Sequence, residues 1–388
     1  MDDELEKLSN DEKYMKNRND ICTPLGCVRE MLDKVPCEFW SSGPKILDPC
    51  CGFGNFAQGC LERLKEGPYR IHNNDIDEIR LSKCRELFGT KCTYGNLDFL
   101  NDFGEEVEWD LIVANPPYAK IMENGKRSSK NHTLVRDFIK KSISILKPGG
   151  FLVFITPDNV FTLSDRNDAC KILTSMKIIH LDLNNAKKKW FNKVGSSFAW
   201  YVVQKSPHEG SSYSCSGTYK GNPFKGILKN QEREHIPLIW NEKVEKLLKE
   251  TIEANVPKYI VETSSDLHAY TKKEFLRDTE NEEYCWRIIH TPKQTKYSKR
   301  EHKYQKGWKV FISLTDHYKV WKDNCGMTQS VAFIRVEDEK EADEICENLN
   351  KKIFKYINDI HRYGNFNCIR IIQKFPKKIS DTMDHYCN

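Results

Sequence analysis

The tetrapeptide Asn115-Pro116-Pro117-Tyr118 carries the most specific chemistry in the sequence. It follows the apolar run Trp109–Ala114, which predicts a buried strand that must end where the two prolines begin. The side-chain oxygen of Asn115 and the carbonyl oxygen of Pro116 can then form a fixed pair of acceptors at a strand end, with the ring of Tyr118 beside them. Such a site suits a planar substrate that carries an NH2 group. A proline turn with a surface tyrosine is an equally ordinary explanation, so the neighbouring segments must decide.

A second segment with chemical potential is the glycine-rich loop that begins at Asp48. A short apolar strand, this loop and a helix pattern together form the opening of a doubly wound nucleotide-binding unit, in which Gly52 and Gly54 let the backbone approach a ligand closely. The spacing also fits the G-x-G-x-x-A pattern of nicotinamide and flavin enzymes. Asp48 argues against that reading, because a carboxylate repels a pyrophosphate and attracts an ammonium or sulfonium ion. S-adenosylmethionine carries both cations and no phosphate.

Acidic residues follow the next two predicted strands. Asp75 stands at the end of the second strand, about 20 residues after the glycines, where an acid is placed to bind ribose hydroxyls. Ile76 would then lie against the adenine ring of the cofactor. Asp98, after the third strand, is positioned to accept from the adenine amino group, and Phe99 to pack on the ring. Each acid alone is a common turn residue, but the series at successive strand ends indicates a site.

Length and composition are those of a two-domain protein without membrane spans. The chain has 388 residues, of which 39% are hydrophobic and 30% charged. No apolar run approaches the roughly 20 residues that a membrane span needs, and the charged N-terminus lacks a signal-peptide core. The 15 cysteines are scattered without a Cys-x-x-Cys pair, which favours reduced thiols and no metal site. We therefore expect a cytoplasmic protein without a bound metal.

Basic residues are concentrated between positions 287 and 309, where the only acid is Glu301. Aromatic and histidine residues are interleaved with them, a mixture that is typical of surfaces that follow a phosphate backbone, although most charge runs are simply solvated faces. The predicted DNA contacts in this run are Lys293, Lys296, Lys299, Arg300 and Lys303.

Taken together, these segments resemble the gamma group of DNA adenine-N6 amino-methyltransferases, similar to the methylases of type II restriction-modification systems. The resemblance covers residues 20–205 well and the C-terminal part less sharply. The motifs that carry it are Thr23-Pro24, Asp48 to Phe56, Asp75-Ile76-Asp77, Asn96 to Phe99, Asn115 to Tyr118, Lys147 to Pro157 and Phe191 to Gly195.

The resemblance implies an α/β fold, in which a Rossmann-like S-adenosylmethionine-dependent methyltransferase domain precedes a smaller α+β target-recognition domain. We expect a charged tail over residues 1–20, the catalytic domain over 21–205, a linker or excursion over 206–235 and the recognition domain over 236–388. The linker is expected because residues 206–235 are rich in Gly, Ser, Asn and Lys.

The resemblance also implies roles for individual residues. The catalytic set would be Asn115, Pro116, Pro117 and Tyr118, and the adenine, flipped out of the duplex, would stack between Tyr118 and Phe191. Asp48 would hold the methionine amino group, and Thr23 would close the cofactor pocket. The full set of cofactor-binding residues is Thr23, Asp48, Cys50, Gly52, Gly54, Asp75, Ile76, Asp98 and Phe99.

The expected activity is transfer of a methyl group from S-adenosylmethionine to N6 of a flipped-out adenine in double-stranded DNA, by a monomer that forms the modification half of a restriction-modification system. A cognate restriction endonuclease would be a further partner without being a stable subunit. The nearest alternative is the same chemistry on an RNA guanine or a protein glutamine, since related families share Asn-Pro-Pro-Tyr. A non-catalytic DNA-binding module and a dinucleotide oxidoreductase are the alternatives from other classes.

Overall fold

The computed structural model describes residues 1–11, 21–65, 67–118, 133–164, 168–191, 195, 197–380, 383 and 385–386. The chain divides into two compact units, Met1–Asn241 and Glu242–Asn388, which we call unit 1 and unit 2. Within the described ranges, no helix has the length and apolar character that crossing a membrane requires.

Unit 1 is built on one sheet of nine strands. In chain order they are β1 (Lys45–Asp48), β2 (Arg70–Asn74), β3 (Thr93–Gly95), β4 (Trp109–Ala114), β5 (Leu146–Pro157), β6 (Lys177–Leu183), β7 (Phe198–Gln204), β8 (Ser212–Tyr219) and β9 (Asn222–Lys229). Their order across the sheet is β3-β2-β1-β4-β5-β7-β6-β8-β9. Strands β1 to β5 pair in parallel, whereas β7 runs antiparallel between β5 and β6. The dinucleotide-binding order 3-2-1-4-5-6 contains no such antiparallel strand, which argues against the oxidoreductase alternative.

The helices of unit 1 are α1 (Asp2–Asn10), α2 (Leu25–Leu32), α3 (Asn55–Leu61), α4 (Glu78–Phe88), α5 (Thr133–Ile145), α6 (Ala169–Thr174) and α7 (Asn185–Lys189). Short 3-10 turns cover Cys37–Ser41, Gly89–Lys91 and Asp158–Phe161. Apolar residues of α2 and α3 and of the central strands are buried in one core. Asp77 is the N-cap residue of α4, and its carboxylate accepts from the backbone N–H of Ile79 at 3.0 Å. That cap places the start of α4 directly after the end of β2.

Part of the predicted N-terminal tail is a helix. In α1, Leu5 is buried and Leu8 packs partly against the same core, because the two residues share one helix face. Asp2 accepts a hydrogen bond from Arg29 of α2 at 2.6 Å. The prediction of a tail over residues 1–20 is therefore wrong for 2–10, while residues 12–20 lie outside the described part of the chain.

The segment 206–235 is not a linker, because it contains β8 and β9 and extends the sheet of unit 1. Strand β8 pairs in parallel with β6, and β8 and β9 form a hairpin. Lys220 and Gly221 connect the two strands with φ of 48° and 85°, the positive values of a two-residue hairpin turn. The boundary between the compact units falls after Asn241 rather than near residue 205.

Unit 2 contains two four-stranded sheets, ordered β10-β17-β14-β15 and β11-β13-β12-β16. Its strands are β10 (Glu262–Thr263), β11 (Leu276–Arg277), β12 (Trp286–Thr291), β13 (Gln294–Ser298), β14 (Lys309–Ser313), β15 (Val320–Asp323), β16 (Gly326–Met327) and β17 (Val331–Arg335). Its helices are α8 (Glu242–Glu250), α9 (Glu339–Leu349), α10 (Lys352–Ile360) and α11 (Ile369–Ile372), with a 3-10 turn at Lys273–Phe275. Aliphatic and aromatic residues of both sheets share one core cluster, so each unit has a core of its own.

Candidate functional site

Two predicted site residues meet where the strand order of the unit 1 sheet reverses. Asp48 ends β1, Asn115 follows β4, and these parallel strands are neighbours. In open α/β sheets, ligands bind in the crevice outside the carboxyl ends of strands at such a reversal. The thiol of Cys50, in the loop after β1, donates to the backbone oxygen of Asn115 at 3.5 Å. The glycine-rich loop and the Asn-Pro-Pro-Tyr segment therefore form one site.

The side-chain amide of Asn115 is held in a defined orientation. Its Nδ2 donates to the backbone oxygen of Ile21 at 2.8 Å, and its Oδ1 accepts from the hydroxyl of Tyr118 at 2.8 Å. Burial raises the pKa of the Tyr118 phenol, so the hydroxyl keeps the proton that it donates. An amide oxygen has two lone pairs, so Oδ1 can accept one further hydrogen. Asn115 itself is half-buried, Pro116 is buried and Pro117 is exposed.

Asp48 is the buried carboxylate of the site. It is 1% exposed, its Oδ1 accepts from the backbone N–H of Cys50 at 3.2 Å, and its Oδ2 is buried with no partner among the described residues. Burial raises the pKa of the Asp48 carboxyl well above its ordinary value. The hydroxyl of Thr23 is likewise buried without a partner among those residues. Buried polar atoms of native proteins normally have partners, so both atoms point to a polar ligand.

Asp75 organises the loop rather than standing open to solvent. Its Oδ2 accepts from the backbone N–H of Gly52 at 2.7 Å, and its Oδ1 accepts from that of Asp77 at 2.8 Å. Burial raises the pKa of the Asp75 carboxyl. The adjoining Ile76 is 71% exposed, which suits the predicted packing against a planar ring. Binding of ribose by Asp75 stays a prediction.

The structure places Asp98 and Phe99 beside this site but gives both of them other contacts. Asp98 accepts from the backbone N–H of Leu100 at 2.9 Å and from the side chain of Asn101 at 2.7 Å, which organises its own turn. Phe99 is 2% exposed and packs against Phe138, with ring centroids 5.1 Å apart. Phe99 is thus a core residue, and the adenine contacts of both residues stay predictions.

Phe191, one of the two predicted stacking partners of the flipped adenine, is buried. Phe191 is 3% exposed and packs on Phe198 with ring centroids 4.8 Å apart. Tyr118 contacts the same ring at 6.0 Å. A base could stack on Phe191 only after that side chain left its present position, whereas Tyr118 is half-buried at the site already.

The basic run in unit 2 is less positive in space than in sequence. The ion pairs are Lys293 with Asp316 at 3.2 Å, Lys296 with Asp278 at 2.6 Å, Lys299 with Glu283 at 2.6 Å and Arg300 with Asp266 at 2.8 Å. All four acids lie outside positions 287–309, so the sequence window could not show them. Lys303 lies over the ring of Tyr304 at 4.6 Å. Exposed ion pairs contribute only about 0–1 kcal/mol and can be exchanged for phosphate contacts, so the DNA role of these residues stays a prediction.

Sequence reasoning missed two asparagines that hold the site together. Asn74 is fully buried at the end of β2, and its Nδ2 donates to the backbone oxygens of Pro49 at 3.1 Å and Leu97 at 2.9 Å. Asn55 donates from Nδ2 to the backbone oxygen of Thr23 at 2.8 Å. The sequence did contain a signal for Asn74, because it is a polar residue at the end of a predicted buried strand, directly before Asp75.

These features define unit 1 as a Rossmann-like α/β domain. Its candidate site lies at the strand-order reversal, where the loop that contains Gly52 and Gly54 adjoins the buried carboxylates of Asp48 and Asp75. Among known families, residues 59–191 match the one described as Eco57I restriction-modification methylase. The Rossmann-like fold and the family match agree with the predicted resemblance to restriction-modification methylases, while the adenine-N6 subtype stays a prediction.

The chain is also similar in sequence to individual proteins that are named as methyltransferases or modification methylases. The chain is 29% identical over 186 residues to the Type II methyltransferase M.VspI of Vibrio sp. (strain 343), which covers 44% of each chain. It is 26% identical over 240 residues to the Modification methylase CviBIII of Paramecium bursaria Chlorella virus NC1A, covering 58% of this chain and 61% of the relative. The matches thus span about half of the length of these relatives. In the DrdV-DNA complex solved by cryoEM, a chain with 10% identity has a similar fold, with a TM-score of 0.58 over 99% of this chain and 58% of that one.

Proposed function

We propose that this chain transfers a methyl group from S-adenosylmethionine to N6 of an adenine flipped out of duplex DNA, as the modification half of a restriction-modification system. The observation that carries the proposal is the orientation of the Asn115 amide. Its nitrogen donates to the Ile21 carbonyl, and its oxygen accepts from Tyr118 and keeps a second lone pair for a substrate hydrogen. The similarity to type II methyltransferases supports the reaction class.

The residues of unit 1 fit S-adenosylmethionine. Oδ2 of Asp48, which lacks a partner among the described residues, can accept from the methionine ammonium group, and the Thr23 hydroxyl offers a second polar contact. Ile76, 71% exposed after β2, can pack on the adenine of the cofactor. The wider cofactor set includes Cys50, Gly52, Gly54, Asp75, Asp98 and Phe99. When bound, the cofactor supplies an electrophilic methyl group on its sulfonium.

The chain's own contribution to the reaction is to hold the two hydrogens of the target amino group. Oδ1 of Asn115 and the carbonyl oxygen of Pro116 accept them, which withdraws the nitrogen lone pair from conjugation with the ring. The same acceptors stabilise the positive charge that develops on the nitrogen, and loss of one such group typically costs about 100- to 1000-fold in rate. Tyr118 stacks on the base, which offsets part of the few kcal/mol that flipping costs.

Methyl transfer to unmethylated DNA tests this proposal. Labelled S-adenosylmethionine is incubated with the wild type, with Asn115→Ala and with Asn222→Ala, a control in an exposed asparagine of the β8–β9 hairpin. We expect label in N6-methyladenine from the wild type and the control. Asn115→Ala should lose about 100- to 1000-fold in turnover while retaining cofactor affinity, because its side chain faces the substrate.

Two outcomes would contradict the proposal. Label that enters an RNA guanine or a protein glutamine instead of DNA would support the role of Asn115 at an amino group but contradict DNA as the substrate. Loss of cofactor binding in Asn115→Ala, with an unchanged melting temperature, would overturn the role given to this side chain.

A further inference from the structure

Unit 2 contains a pocket of about 730 Å³. Its lining includes two aromatic residues, two lysines and two neutral polar residues, namely Tyr270, Phe366, Lys273, Lys296, His290 and Gln329. A cavity of this size is in the range of small-molecule sites, and its lining suits a partner with both flat apolar faces and negative charge.

The aromatic side chains of this pocket are unusually exposed. Tyr270 is 77% exposed and Phe366 is 67% exposed. Scattered exposed apolar residues are ordinary, but two large aromatic rings at one pocket mark a contact surface.

The charge of the pocket is positive. Lys273 is exposed and forms no ion pair with a described residue, and Lys296 pairs with Asp278, a residue that is 83% exposed. The described residues that line the pocket include no carboxylate. A phosphate can replace Asp278 at little cost, because an ion pair with so exposed a partner is weak.

Gln329 can offer the pocket a hydrogen-bond donor. Its Oε1 accepts from the backbone N–H of Ala269 at 3.0 Å, which fixes the orientation of the amide. The amide NH2 group can donate to an acceptor on a base edge, such as purine N7, guanine O6 or thymine O4 in the major groove. His290 contacts the Thr328 hydroxyl at 2.7 Å, and burial lowers its pKa, so it adds no charge at neutral pH.

We propose that duplex DNA docks on unit 2 at this pocket. Lys273 and Lys296 contact phosphates, Tyr270 and Phe366 pack against bases and sugars, and the Gln329 amide donates to a base acceptor. This inference rests on the proposed function, which makes DNA the substrate. It places the contact on the pocket rather than on Lys299 and Arg300, which do not line it.

Fluorescence anisotropy of the full chain with labelled random-sequence duplex DNA tests the inference. The double variant Tyr270→Ala/Phe366→Ala should raise Kd about tenfold, whereas Ile260→Ala, at a residue that is 75% exposed in the same unit, should leave Kd unchanged. Lys273→Ala should reduce the slope of log Kd against log salt by about 1, and Lys340→Ala, in exposed α9, should not. Thermal melting and cofactor affinity should equal those of the wild type.

The outcomes separate this inference from the proposed function. If wild-type DNA binding is present and neither pocket variant weakens it, the pocket inference is overturned and methylation stands. If RNA displaces the duplex from the pocket, the assignment of duplex DNA as its ligand is wrong. If the pocket variants weaken DNA binding but the wild type transfers no methyl group to DNA, the pocket inference is supported and the proposed function fails. Should the double variant melt early, Lys273→Glu, at an exposed site, gives the same test.

Discussion

Asp48 and Asp75 are buried carboxylates at neighbouring strand ends, yet their surroundings differ. Asp75 accepts from two backbone N–H groups, whereas Asp48 accepts from one and has an oxygen without a partner among the described residues. Burial raises the pKa of both carboxyls. The charged form of Asp48 is therefore the less stabilised of the two, and a cationic ligand has most to gain there.

Binding of S-adenosylmethionine is expected to release a proton from Asp48. The ligand's positive charge lowers a carboxyl pKa that burial has raised, so the protonated fraction of Asp48 falls on binding. Isothermal titration in buffers of different ionisation enthalpy measures the number of protons released. Asp48→Asn should reduce that number as well as the affinity. An unchanged proton count in the variant would show that another group titrates.

The raised pKa of Asp48 also predicts how the stability of the ligand-free protein changes with pH. Because the folded-state pKa of Asp48 lies above the unfolded value, the folded protein binds the proton more tightly, and stability falls as pH rises through the window above the usual carboxyl pKa. Asp48→Asn removes this contribution. Its Tm relative to the wild type should therefore rise with pH, and a constant difference would contradict the raised pKa.

At residue scale, the sequence predicted which residues lie close together where each of them stands near a strand end. Asp48, Cys50, Gly52, Asp75 and Asn115 are brought together as expected, because parallel strands end at one edge of a sheet. Phe191 and the basic run were read less well, because their contacts come from positions distant in the sequence. The Phe198 ring covers Phe191, and acids outside the run pair with its lysines and arginine.

At the scale of elements, the loop between β1 and α3 shows why its two glycines are not equivalent. Gly52 and Gly54 have φ of 54° and 92°, the left-handed region that other residues avoid. A Cβ at Gly54 would lie 2.5 Å from Phe88 and 2.8 Å from Cys84, whereas a Cβ at Gly52 would meet no atom within 4 Å. Gly54 is thus required for packing on α4, and Gly52 leaves open space at the site.

Alanine at these two positions should separate stability from binding. Gly52→Ala should cost only the backbone strain of about 1 to 2 kcal/mol but weaken S-adenosylmethionine binding, because the methyl group enters the open space. Gly54→Ala should add an overpacking cost of about 1 to 3 kcal/mol and lower Tm further. Gly210→Ala, with φ of 71° and no atom near its Cβ, controls for strain alone. Equal cofactor affinity in Gly52→Ala and Gly210→Ala would contradict the assignment.

Elements with a strong local pattern were predicted, and elements that depend on packing were not. The apolar run Trp109–Ala114 is β4 as expected. The mostly charged sequence of α1 predicts a tail, whereas in the structure Leu5 and Leu8 pack on the core and Asp2 accepts a hydrogen bond from Arg29. Strand β8 was missed because Ser and Thr alternate there with Tyr213 and Cys215, which the structure buries.

For the whole molecule, composition placed the domain boundary too early. A stretch rich in Gly, Ser, Asn and Lys is usually a linker, but here it pairs with β6 and completes the polar contacts of that strand. Ser214 contacts His180 at 2.6 Å, and Ser216 donates to the buried Asp182 at 2.8 Å. The indole of Trp240 donates to Tyr213 at 2.8 Å, which ties residues just before the unit boundary to β8.

A fragment of residues 1–241 should therefore fold, and one of residues 1–205 should not. The shorter fragment removes the partner strand of β6, leaves the edge of β6 open to aggregation, and removes the hydrogen bond from Ser216 to the buried Asp182. Circular dichroism melting and size-exclusion chromatography of both fragments measure this. We expect a cooperative transition and S-adenosylmethionine binding for 1–241, and aggregation without a cooperative transition for 1–205. If both melt alike, β8 and β9 are an appendage of the sheet, and the composition-based boundary was the better one.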